Sequence, residues 1–148
     1  MGPTALERMD DRMDAVEAAL RAALTSRHIS RSYQRHYGEF SAEQLQQGVV
    51  QLISSGESGY QTGLGMVARE GTHNMLLVCY LVLDESSAPQ ETEAAELALI
   101  EEIKAFVRTG VDGTHLVLDK ALHSRQQEHP YGWVVAYIEA RPTAESTY

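Results

Sequence analysis

The stretch "THNMLLVCYLVLD", residues 72–84, constrains this chain more than any other. From Met75 to Leu83 it runs without a charge. A membrane-spanning helix needs about 20 apolar residues, and this run is less than half as long. Read as extended chain, Leu76, Val78, Tyr80 and Val82 face one way, and Met75, Leu77, Cys79, Leu81 and Leu83 face the other. Both sets are apolar. A strand of that kind is central in its sheet and covered on both sides. The cover must come from the chain folding back over it or from a neighbouring subunit.

The flanking segments supply helices. Leu6, Met9, Met13, Val16, Leu20 and Leu24 recur at steps of three and four, which predicts an amphipathic helix over 5–25 with Thr4 as its cap. Residues 91–108 predict a second long helix. Its inner stripe is Ala95, Leu99, Ile103 and Phe106 or Val107, with Glu96, Glu101, Glu102 and Lys104 outside. "SAEQLQQG" predicts a short helix, opened by a capping box between Ser41 and Gln44 and closed by Gly48.

Strands are expected over 28–37, over "VVQLIS" at 49–54, and around 115–126 and 132–141, the last two joined through "EHPYG". "SGESGYQTG" reads as a loop. Residues 64–70 read as the hairpin partner of the apolar strand, turning at Gly71. The expected fold is therefore α+β: two layers, with a mainly antiparallel mixed sheet and both long helices on one face. At 148 residues the chain suits one domain, with 1–4 and 142–148 as flexible ends.

Reactive chemistry is hard to find. Cys79, the single cysteine, lies between Val78 and Tyr80 in an apolar strand. A reactive thiol needs exposure and a positive neighbour. Packing as a small hydrophobe is the simpler role. One cysteine forms no disulfide within the chain, and a reducing compartment is expected. The six histidines make no i, i+4 helical pair and no Cys/His cluster, so no metal site is expected. "GESGYQTGLG" lacks both the Lys-Ser/Thr of a P-loop and the spacing of a dinucleotide fingerprint, and "GESG" is not a nucleophile elbow. No catalytic residue and no cofactor is expected.

Charge narrows the partners. Twenty-one acids against twelve bases give a formal net charge of −9. That disfavours a nucleic-acid binder held by phosphate contacts. The N-terminus is charged and amphipathic without an apolar core, so neither a secretion signal nor membrane attachment is expected. "RHISRSYQRHY" is the one basic stretch, with three arginines and no acid.

This order of elements resembles the tail terminator proteins of long-tailed bacteriophages and prophages, the family of minor tail protein U. The likeness rests on "HNMLLVCYLVLDESSAPQETEAAELALIEEIKAFVR", an apolar strand, a polar break and an Ala/Leu/Ile helix, and on the closing "YGWVVAYIEARP". The resemblance implies a ring, usually of six copies, that caps the tail tube, ends its polymerisation and meets the head. Its implied partners are itself, the tail tube protein and head–tail connector proteins, first in the bacterial cytoplasm and then in the virion tail. Six copies at −9 each carry about −54, so self-repulsion can hold free protein apart until a tube end aligns it. An acidic bore would let DNA pass without sticking.

The expected contact residues are Arg31, Tyr33 and Arg35 in "RSYQR", basic within an acidic chain, and Gly56, Glu57, Ser58 and Tyr60 in the glycine-rich loop. A different reading also stands. Tyr33, His36, Tyr80 and Trp133 can line a helix–sheet pocket of a small-molecule-binding or enzymatic domain. A general oligomeric adaptor is a third.

Overall fold

The computed structural model describes residues 8–59 and 71–141. In chain order it contains α1 (Met9–Ala23), β1 (His28–Ser30), a 3-10 turn (Tyr37–Glu39), α2 (Ala42–Gln47), β2 (Val49–Ser58), β3 (Thr72–Val82), α3 (Pro89–Thr109), β4 (His115–His123) and β5 (Tyr131–Arg141). The five strands form one sheet in the order β1-β2-β3-β5-β4. β1 runs parallel to β2, and every other pairing is antiparallel. The fold is α+β, and the apolar strand β3 lies at its centre.

Alternation along the strands builds the main core. Met75, Leu77, Cys79 and Leu81 of β3, Val50 and Leu52 of β2, and Val134, Ala136 and Ile138 of β5 point to one side. There they meet Met13, Val16 and Leu20 of α1 and Leu99, Ile103 and Phe106 of α3. Each fully buried aliphatic side chain stabilises the fold by roughly 1.5–3 kcal/mol relative to exposure. Both long helices thus cover the same face, as their apolar spacing requires.

The opposite face is covered at one end only. Leu45 of α2, Val49, Val78 and Tyr80 are buried there, with Tyr37 and Phe40 packed over them. The short helix that places Leu45 opens with the expected capping box. Gln44 N donates to Ser41 Oγ (3.1 Å) and Ser41 N donates to Gln44 Oε1 (3.0 Å). Gly48 closes it at φ +93, and a Cβ there would meet Arg27 Nη1 at 2.5 Å.

Several elements differ from the sequence expectation. The strand expected over 28–37 stops at Ser30, because neither side of 31–36 is apolar enough to hold a sheet. Instead Ser30 Oγ and the backbone of Ser32 exchange hydrogen bonds (3.0 and 3.2 Å), and the chain turns away. It then crosses the open face, where the Gln51 side chain accepts from Gln34 N. β2 continues through Ser58, so 55–58, expected in a loop, belong to a strand; a bulge between Ser54 and Gly56 bends it, with Gly56 at φ +96.

The expected hairpin partner 64–70 lies outside the described residues, as do Thr4 and Leu6. β3 has β2 on one flank and β5 on the other. β4 ends at His123 and carries a bulge between Leu118 and Lys120. One rim of the sheet is therefore the three-residue β1 and, beyond its reach, residues 52–58 of the bulged β2; the other rim is the bulged β4. Among the described residues no helix is long and apolar enough to cross a membrane.

Candidate functional site

The open half of the second sheet face forms a groove of about 710 Å3. Leu76 and Val78 of β3 and Trp133 and Val135 of β5 form its floor, since even positions of β3 and odd positions of β5 share a face in this register. Tyr33, Arg35, His36 and Tyr37, on the crossing segment, and Tyr80 form its wall, and Glu128 completes the rim.

The wall is a packed aromatic cluster. Tyr37 stacks edge-on against Tyr80 (5.0 Å between centroids) and tilts over Tyr131 (4.8 Å), while Phe40 lies 5.9 Å from Tyr80. Tyr37 OH donates to the Glu128 carboxylate. Burial, then that carboxylate, holds the Tyr37 hydroxyl well above its ordinary pKa. Burial and the neighbouring Tyr33 push Tyr80 up to about 12. Both hydroxyls are therefore neutral donors at physiological pH, not bases. Arg35 and His36 are exposed at the rim. Arg35 has no ion-pair partner among the described residues, whereas Arg31 is held by Asp14 (3.1 Å) and Glu17 (3.4 Å) of α1.

The expected contact residues separate accordingly. Tyr33 and Arg35 reach the groove, and Arg31 is turned to the helix side. Gly56, Glu57 and Ser58 lie at the far end of β2, where Ser58 pairs with Thr72. Tyr80 is eight strand residues from Thr72, about 27 Å, so the two expected patches do not meet. Glu57 is drawn inward to Arg12 (3.7 Å, side chains 8% and 6% exposed). Tyr60 lies outside the described residues. Tyr33, His36, Tyr80 and Trp133 do line one pocket, on the sheet face away from the long helices and not between helices and sheet.

A second polar cluster escaped the sequence reading. Glu96, expected outside, is fully buried. Its carboxylate accepts from Ser124 Oγ and from Trp133 N (3.0 Å), and meets His123 Nδ1 at 3.0 Å. Thr92 Oγ1 lies 2.6 Å from His129 Nδ1, and His129 Nε2 lies 2.8 Å from the Ser87 carbonyl oxygen. A carbonyl only accepts, so Nε2 carries a proton. These bonds fasten the turn between β4 and β5 to the first turns of α3. Gly132 lets Glu96 approach: a Cβ there would sit 2.5 Å from Glu96 Oε2 and 2.9 Å from Leu81 Cδ1. The readable signal was Thr92, Glu96, Leu99 and Ile103 at helical spacing, which sets Glu96 on the inner stripe.

Ser124 directs its hydroxyl to the carboxylate and not to an imidazole. The Thr92 hydroxyl does meet the His129 imidazole, but Thr92 is fully buried and not presented to a substrate. Cys79 is fully buried and its thiol pKa is pushed up by that burial, so it is not an activated nucleophile. Among the described residues no group of three or more His, Cys, Asp and Glu side chains could hold a metal ion. Comparison with protein-family models and with curated proteins finds no match for this chain.

Proposed function

We propose that this protein acts by contact between polypeptides, as a ring-forming subunit that caps a phage or prophage tail tube, ends its polymerisation and joins it to the head. The carrying observation is the open half of the sheet. Of the four large hydrophobic side chains that are exposed among the described residues, Tyr33 (50%), Leu122 (45%) and Tyr131 (39%) lie on or beside that face. A concentration of apolar surface within a charged rim, here Arg35 and Glu128, is the composition of a docking surface. The order of the elements is the one on which the tail-terminator resemblance rests, and the one hydroxyl–imidazole pair described above, Thr92 with His129, is built on a fully buried hydroxyl.

The test is genetic. Deleting the gene from an inducible prophage that carries it is expected to give tails of uneven, excessive length without heads, restored by the wild-type gene. Virions of normal length from the deletion overturn the reading. The groove's volume also lies in the range of small-molecule sites, about 300–1,000 Å3. A small-ligand reading predicts that some metabolite raises the melting temperature by mass action. A saturable shift that Trp133→Ala abolishes, together with normal tails, would select that reading instead.

A further inference from the structure

Building on the self-assembling reading, we propose that the aromatic groove receives helix α3 of a second copy of this chain, with Leu97 as the anchor. Leu97 is 45% exposed and is the one large exposed hydrophobic, among the described residues, on the helical side of the molecule. It points away from the stripe formed by Thr92, Glu96, Leu99 and Ile103. Glu93 and Glu101 sit one turn to either side, each about 6 Å along the axis. The helix therefore presents an apolar anchor bracketed by carboxylates.

The groove presents the complement. Its floor is aliphatic and aromatic, and its rim carries the exposed Arg35, which has no ion-pair partner among the described residues, and Glu128, whose carboxylate already accepts from the Tyr37 hydroxyl. The neighbouring cation Arg31 is already held by Asp14 and Glu17. Glu101 contacts Lys104 at the exposed surface (2.8 Å), where Arg35 of a neighbour can share it, whereas the half-buried Glu93 accepts from Gln126 (3.1 Å). An amphipathic helix laid in an apolar groove is an established mode of recognition. A groove-to-groove contact would leave Leu97 in water and set two Arg35 rims in one interface.

Because α3 and the groove lie on opposite sides of the sheet, the contact joins two different surfaces. Each copy bound through one surface still offers the other. Such heterologous contacts propagate until a ring closes or a filament forms.

Sedimentation velocity at physiological salt tests this with Leu97→Gln and Arg35→Glu, both at exposed positions. The net charge of −9 opposes association, but at physiological salt charges are screened beyond about 8 Å, so wild-type protein is expected to associate beyond the dimer as concentration rises. Each variant alone is expected to associate at least about 10-fold more weakly. An equimolar mixture is expected to form a dimer and stop there, since one intact groove meets one intact Leu97. Wild-type association in Leu97→Gln, a mixture no more associated than its components, or wild-type protein that stays monomeric to about 1 mM each overturns the inference. The contact and the tail role fail separately. A confirmed mixture dimer with normal tails from the deletion removes only the tail role; overlong tails with an unaffected Leu97→Gln protein remove only this contact.

Discussion

The two faces of the sheet are made by the same strands, residue against residue, and they meet different fates. On the helix side, Met75, Leu77, Cys79 and Leu81 of β3 are sealed beneath α1 and α3. On the other side, Val78 and Tyr80 are buried by α2 and Phe40, while Leu76 and Val82 remain half-buried and Leu122 on β4 is exposed. Apolar composition is thus shared, but closure is not. The first face is completed by two long helices whose stripes were built for it. The second is completed at one end by a short helix and a crossing loop, and its remainder is finished by aromatic and charged groups. Stability resides mainly in the first face, and the recognition proposed above is assigned to the second.

The largest effect expected from that division is Leu77→Ala. It empties a fully buried site between sheet and helices, and should cost about 3 kcal/mol in urea unfolding. A loss near that of a surface substitution would break the comparison. Next comes Gly132→Ala. The added methyl meets a carboxylate held by three polar partners and the Leu81 side chain, so a loss of about 2 kcal/mol is expected. Gly113→Ala, where a Cβ meets open space but φ is +77, controls for a backbone penalty alone.

Tyr80→Phe probes the covered end of the second face, and about 1 kcal/mol is expected for the lost hydroxyl. It should also alter alkaline stability. The folded state keeps Tyr80 protonated up to about 12, whereas an unfolded tyrosine titrates near 10. Between those values the unfolded state binds fewer protons, so wild-type stability falls as pH rises. The Phe variant should show a shallower fall across that window, measured by urea midpoints at stepped pH. Smallest is Leu122→Ala, expected within about 0.5 kcal/mol of wild type. A loss comparable to Leu77→Ala would mean that the second face is closed in the free protein.

Where the sequence was legible, one local pattern decided the outcome. The two-sided apolar run placed β3 at the centre, the three-and-four spacing placed α1 and α3 on one face, and Ser41 with Gln44 placed α2. It was illegible where long-range partners decide. Ser30 and Ser32 end β1 with a local turn, and the crossing chain is held by Gln51, which is 17 residues away from Gln34. Glu96 has the residue type of a solvated position, and its three partners come from β4, its turn and β5. The groove residues Tyr33, His36, Tyr80 and Trp133 were visible as aromatic or amphipathic side chains, but which face gathers them depends on strand register. That register follows from the pairing of β3 with β5, between which α3 intervenes in the chain.

The rims of the sheet carry a last consequence. β1 offers only three residues, β2 beyond it is bent by the bulge between Ser54 and Gly56, and β4 is kinked beside the exposed charges of Asp119 and Lys120. Among the described residues none of these edges is a good template for an incoming strand, because fibril-like stacking needs a long, flat, uncharged edge. Short, bent and charged edges of this kind disfavour cross-β growth and leave side-chain surfaces as the easier place for two copies to meet.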